Sequence, residues 1–190
     1  MSSSPAFKIA ELFSTDAAVR AVCAAAIYNQ GVALAGPVVS SWSANRDFHS
    51  LVRAQLATVG LAVFPETFAR IQRANGNPHL AHVPPGQEAE EFELHFPTGI
   101  SLDILTTRDL NGEGAIARFL KRFGEGIQQV EYRCLDVNRA TALVKENFGL
   151  APVYPAARAG TDDSRINFFL VPTNTGGKVL IELYEIAGTD

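Results

Sequence analysis

The hydrophobic pattern is most regular near the end of the chain. There Val179, Ile181 and Leu183 alternate with Leu180, Glu182 and Tyr184, the period-2 signature of a β-strand. The preceding run R-I-N-F-F-L-V-P has the same character, and Thr175-Gly176-Gly177 supplies glycines that accept the positive φ of a tight reversal. Residues 165–185 are therefore predicted as a β-hairpin. E-F-E-L-H-F, the turn Pro97-Thr98-Gly99 and I-S-L-D-I-L predict an earlier hairpin by the same logic. Strand character also marks L-A-T-V-G-L-A-V-F from Leu56 and I-Q-Q-V-E-Y-R-C from Ile127, and a short strand is expected over 79–83.

Helical spacing fills the intervals. After Ser14-Thr15-Asp16, which offer capping oxygens, apolar residues recur at helical spacing to Gln30, with Gly31 as the expected stop. A short helix is predicted over 47–55, with Phe48, Leu51 and Val52 on one face. Pro65 opens another through Phe68 and Ile71, which Asn75-Gly76-Asn77-Pro78 breaks. Ile116, Phe119 and Leu120 define a helix ended by Gly124, and Asn138 starts one through Leu143 and Val144 that Gly149 stops. Pro84-Pro85-Gly86 with the acidic run 88–91 reads as a solvated loop.

The order strand, helix, hairpin thus occurs twice. L-A-T-V-G-L-A-V overlays I-Q-Q-V-E-Y-R-C, and I-S-L-D-I-L overlays V-L-I-E-L-Y, so that Thr58 corresponds to Gln129 and Asp103 to Glu182. The expectation is an α+β fold: two fused βαβββ modules, 56–123 and 124–190, after a mainly helical N-terminal extension, 1–55. The four equivalent polar positions are expected to converge in a cleft. Glu182 is the anomaly that draws attention to them, because a carboxylate inside an apolar strand is either solvated or turned inward for a reason.

Composition narrows the function classes. With 190 residues, 47% hydrophobic and 19% charged, the chain has the make-up of a globular protein and not of a disordered one. A net charge of −4 and the lack of any basic run disfavour a nucleic-acid partner. The uncharged stretch 21–42 is long enough to cross a bilayer, but Asn29, Gln30, Gly31 and Pro37 interrupt it, so no membrane partner is expected. No secretory or transit signal is read at the N-terminus, and a cytoplasmic protein is expected. Cys23 and Cys134 lack CxxC spacing and read as buried free thiols.

The closing R-I-N-F-F-L-V-P-T-N-T-G-G-K-V-L-I-E-L, with D-L-N-G-E-G-A-I-A-R-F-L-K-R-F-G-E-G-I-Q-Q-V, resembles the second module of the methylmalonyl-CoA epimerases of the vicinal oxygen chelate (glyoxalase and bleomycin-resistance) superfamily. L-A-T-V-G-L-A-V is similar to that family's opening strand, and the resemblance covers 56–186. It implies a divalent metal held by His, Gln or Glu, His, and Glu. Here Glu182 matches, Asp103 stands at the Gln or Glu position, and Thr58 and Gln129 replace the histidines. Asp103, Gln129 and Glu182 are then an all-oxygen metal set without an imidazole, which leaves both a divalent metal and no metal open.

The resemblance further implies an isomerase or lyase acting on a small carbonyl or acyl thioester, with a homodimer as the assembly. Glu182 is the candidate ligand or acid/base. Glu93 lies, with Glu91 and His95, on the strand that carries the family's general base, and Glu131 shares Gln129's side of its strand. Thr58, Gln129 and Arg133 are the candidate substrate-binding residues. The alternative is a metal-free small-molecule binder of the bleomycin-resistance type, and enzyme activity is left open between them. His49, His79 and His82 are expected at the surface.

Overall fold

The structure is a computed structural model that describes residues 8–173 and 176–186, without the side chains of Ala54 and Gln55. Thr175 of the expected turn and the ends of the terminal segments lie outside the described residues. The helices are α1 (Ala17–Ser43), α2 (Arg46–Leu51), α3 (Pro65–Ala74), α4 (Ala115–Phe123) and α5 (Val137–Phe148). The strands are β1 (Val52–Ala62), β2 (Ala89–Phe96), β3 (Ile100–Thr107), β4 (Gly126–Cys134), β5 (Arg158–Ala159), β6 (Ser164–Pro172) and β7 (Lys178–Ile186). The α+β class and the helical N-terminal extension are as the pattern predicts.

Two compact units make up the chain. The first gathers the chain up to Gly31 with Val59–Ala81 and Pro85–Gln128; the second gathers Val32–Thr58, His82–Pro84 and the chain from Gln129. In the first, β2 pairs antiparallel with β3, β3 neighbours the end of β1, and α3 and α4 pack on β3. In the second, the start of β1 neighbours β4, β4 pairs in parallel with β7, and β7, β6 and β5 follow antiparallel. Helix α5, the crossover that parallel pairing requires, packs on β6 and β7.

Four expectations, two of them about the extension, are corrected. Gly31 does not stop α1, which continues through Gly31 and Pro37 to Ser43. The glycine is there for room: a Cβ at Gly31 would meet Val59 Cγ1 and Cγ2 at 2.6 Å. The helix predicted over 47–55 ends at Leu51, where β1 begins, four residues before the expected strand start. Residues 79–83 form no strand, although the Ala81 N–H donates to Glu91 O at 2.9 Å. The acidic run expected as a loop already belongs to β2 from Ala89 onward.

Helix α1 is long and apolar enough to cross a bilayer by length and composition. Its side chains also build core. Cys23, Ala24 and Ile27 are buried in the first unit. There Arg20 donates to Asn75 Oδ1 at 3.1 Å and Asn75 Nδ2 donates to Leu12 O at 2.9 Å, which ties the extension to α3. In the second unit Trp42 is buried among the rings of Phe48, Phe148 and Phe169, with centroids 5.7, 6.4 and 5.5 Å away. Phe148 belongs to α5 and Phe169 to β6, so one indole fixes the extension, the helix and the sheet to one another.

Carboxylates cap the helices that follow β1 and β4. The Phe64 N–H, at the start of α3, donates to Glu125 Oε1 at 3.0 Å, and the Val137 N–H, at the start of α5, donates to Glu185 Oε2 at 3.0 Å. Each satisfies an amide that the helix leaves unpaired, and the negative charge suits that end of the dipole. The predicted closing hairpin is present, with Gly176 at φ 82° and the Thr173 N–H donating to Gly177 O at 2.9 Å.

Gly31→Ala should destabilise the protein by about 1–3 kcal/mol through overpacking against Val59, although alanine is the better helix former by about 1 kcal/mol. Chemical denaturation reads the sign, and Val59→Ala in the same chain should recover part of the loss. Burial, with Glu11 second, pushes the Cys23 thiol up to about 11. Burial, then Glu185 and Asp136, pushes Cys134 up to about 12, against a backbone hydrogen bond at Asp136 that lowers it. Because these values are raised above those of the unfolded chain, the stability they contribute is complete below about pH 8.5 and is lost as pH rises through 11 to 12. Ellman's reagent at pH 8 should therefore titrate no thiol in the native protein and both after unfolding.

Candidate functional site

Strand pairing sorts the second unit's sheet into two faces. In the parallel register Gln129 stands opposite Leu180, Glu131 opposite Glu182 and Arg133 opposite Tyr184; in the hairpin Phe168 stands opposite Glu182 and Leu170 opposite Leu180. Cross-strand partners share a face, so these residues line one side of the sheet. The other side carries Val130, Tyr132, Phe169, Val171, Ile181 and Leu183, all buried. The apolar side is core, and the mixed side is the candidate site.

Glu182 on this face is not a solvated charge: it is 8% exposed, and Gln129 is 6% exposed. A buried carboxylate needs hydrogen bonds. Gln129 Nε2 donates to Glu182 Oε2 at 2.8 Å and to Glu131 Oε1 at 2.9 Å, so a single amide bridges two acids on neighbouring strands. Arg133 follows Glu131 by two positions and shares its face, half-buried. Thr58, 8% exposed, ends the part of β1 that belongs to this unit.

An aromatic wall extends the face, and the sequence reading missed it. Tyr154 meets Phe168 edge-on at 6.0 Å, and the Arg158 guanidinium lies over the Tyr154 ring at 4.3 Å. Asn167, fully buried, holds this loop. Its Oδ1 accepts from the Tyr154 N–H at 3.2 Å and from the Phe168 N–H at 2.9 Å, while its Nδ2 donates to Tyr154 O at 3.1 Å. The Val153 N–H adds a bond to Phe168 O at 2.7 Å. The only trace in the sequence was a polar asparagine inside R-I-N-F-F-L-V.

The first unit holds the other candidates. Asp103 on β3 is 8% exposed and stands opposite Glu93 on β2. Glu93 is exposed and contacts His95 Nε2 at 3.4 Å, and His95 Nδ1 lies 3.1 Å from Ser101 Oγ. His49, His79 and His82 are exposed, as expected.

The metal implied by the resemblance does not fit the residues present. No imidazole stands at Thr58 or Gln129, and Gln129 turns the N–H side of its amide, which has no lone pair to give, toward both carboxylates. Among the described residues no group of three His, Cys, Asp or Glu side chains is arranged to hold a metal ion.

No protein-family model and no curated protein matches the chain. Solved structures do. A methylmalonyl-CoA epimerase from Mycobacterium tuberculosis is 33% identical with a TM-score of 0.56, over 68% of this chain and 86% of that one. A Streptomyces coelicolor methylmalonyl-CoA epimerase variant, in complex with 2-nitronate-propionyl-CoA, is 24% identical with a TM-score of 0.57, over 74% and 99%. A hypothetical protein from Bacillus halodurans is 22% identical with a TM-score of 0.56, over 71% and 96%. The last two share the fold, whereas the first shares sequence as well, over most of its length. With that relative, and a strand, helix and hairpin order that recurs along the sequence, the chain belongs to the methylmalonyl-CoA epimerase family of the vicinal oxygen chelate superfamily.

Proposed function

We propose that the protein acts on a small acyl thioester or related carbonyl compound, moving a proton at the carbon beside the carbonyl, as an isomerase or lyase of the epimerase type. The observation that carries this is the hydrogen-bonded set Glu131, Gln129 and Glu182 on a half-buried sheet face. Support comes from the 33% identical epimerase and from relatives bound to methylmalonyl-CoA or 2-nitronate-propionyl-CoA. In this reading a carboxylate, Glu182 or Glu131, takes the α-proton, and the electron pair of the C–H bond moves into the carbonyl to give an enolate. Return of a proton to the other face of the same carbon gives the epimer. Arg133 is the cation on the same face that answers the developing oxyanion, and Thr58 and Gln129 contact substrate. Asp103 and Glu93 remain candidates of the first unit, Glu93 for the acid/base role that the resemblance implies. The homodimer and the cytoplasmic location are carried in the same proposal.

A second reading is favoured by the aromatic wall. Phe168, Tyr154 and Arg158 form a surface on which a planar ligand can be held by shape, so a metal-free binding protein is the alternative.

The first test is proton exchange. Wild-type protein incubated with methylmalonyl-CoA in deuterated buffer should place deuterium at the α-carbon, followed by NMR. Glu182→Gln should slow this about 10²–10⁴-fold while circular dichroism stays unchanged. No exchange with any branched acyl-CoA would discard the enzymatic reading and leave the binder. A second measurement concerns the wall: Arg158→Ala should weaken acyl-CoA binding in calorimetry about tenfold, equivalent to ~1.4 kcal/mol. Asn167→Ala should weaken it at least as much, because it releases the whole Tyr154 loop.

A further inference from the structure

Gln129 occupies a position where its chemistry decides how two acids coexist. Glu131 and Glu182 face each other across the β4–β7 pair, and both accept from the same amide nitrogen at 2.9 and 2.8 Å. The –NH₂ of a glutamine has two hydrogens to donate, and both are directed at these carboxylates. In the opposite orientation the amide carbonyl would face the same two carboxylate oxygens. Three acceptors would then meet, an arrangement that a proton or a cation has to relieve. The chain has two ways to satisfy the cluster, and the orientation in the structure is the one that needs no ion.

We infer that Gln129 is a positioning residue that replaces a divalent metal: its amide hydrogens hold Glu131 and Glu182 together, and the site is built and takes its ligand without a metal ion. The inference deepens the reading of the same site, yet it rests on the hydrogen bonds and not on turnover. It also accounts for an imidazole being dispensable at this position. A histidine there would offer a lone pair to a metal, whereas glutamine offers hydrogens to the acids that would otherwise bind it.

Removing the hydrogens while keeping the shape isolates the effect. Gln129→Glu sets a third carboxylate against the other two, so its melting temperature at pH 7.5 should fall by about 4–8 °C. Millimolar Ca²⁺ or Mg²⁺ should restore at least half of that fall, because an all-oxygen cluster with three charges suits a hard cation. The wild-type melting temperature should respond neither to those ions nor to EDTA, and elemental analysis of untagged wild-type protein should find well below one Co, Ni, Zn or Mn per chain. If Gln129→Glu does not fold, Gln129→His reads the same point: with a lone pair supplied, added Co²⁺ should give visible d–d absorption that wild type lacks. Stoichiometric metal in wild type, an EDTA-sensitive wild-type melting temperature, a Gln129→Glu protein as stable as wild type, or the same Co²⁺ spectrum in wild type and Gln129→His would each overturn the inference. None of these readouts uses activity, so a metal-free wild type that exchanges no α-proton would sink the enzymatic reading alone.

Discussion

The parallel pairing of β4 with β7 is the constraint on which the second unit depends, because it sets Glu131 directly opposite Glu182. Two carboxylates on one buried face repel when both are ionised and compete for the same donors. A neutral amide that donates to both contributes about 1 kcal/mol per hydrogen bond and links the two acids. The amide must arrive from the same face and the neighbouring position, and Gln129, two residues before Glu131 on the same strand, does so. A slip of one residue would carry Gln129 and Glu131 to the apolar side and bring Val130 and Tyr132 to the site. The register is therefore a functional quantity.

What holds the register lies on the opposite face. Ile181, Leu183 and Phe169 are fully buried there, and Trp42 joins Phe169 to Phe148 of α5. Helix α5 is in turn fixed at its first turn by Glu185, one residue beyond the site residue Tyr184, so the end of β7 sets the helix N-terminus as well as the polar face. Glu185 also lies 3.8 Å from Arg165 of β6. The apolar face and the capping carboxylate order the strand, and the strand presents the acids. Stability and chemistry share one backbone but use alternate residues of it.

Much of this was legible in the chain because its signals are local. The closing hairpin announced itself by alternation and by Gly176-Gly177, and Glu182 stood out as a charge among strand-forming apolar residues. Gly124 and Gly149 ended α4 and α5 as a helix-stopping glycine should. Gly31 was misread for the opposite reason. Its purpose is contact with Val59, twenty-eight positions away, and no local rule separates a glycine that ends a helix from one that lets a strand approach it. The early start of β1 was hidden because Phe48, Leu51 and Val52 also fit a helical face and because Arg, Ala and Gln are good helix formers. Tyr154 and Arg158 were invisible because they sit in an irregular segment whose position is fixed by Asn167, a buried side chain with three hydrogen bonds to the loop and to its own strand.

Both units carry a strand, a helix and a hairpin, but their chemistry differs. Each offers one acid, 8% exposed, on the last strand of a hairpin: Asp103 in the first, Glu182 in the second. Their hairpin partners differ, since Asp103 faces Glu93 and Glu182 faces Phe168. Glu182 has a second acid, Glu131, across the β4–β7 pair as well as the ring across the hairpin, whereas the acid opposite Asp103 lies within its own hairpin. The two hairpins thus present an acid at the same place in their last strands, with different neighbours. The cluster of Gln129, Glu131 and Glu182 is completed by residues of the second unit alone, and one neutral amide with two hydrogens is what lets two acids share it.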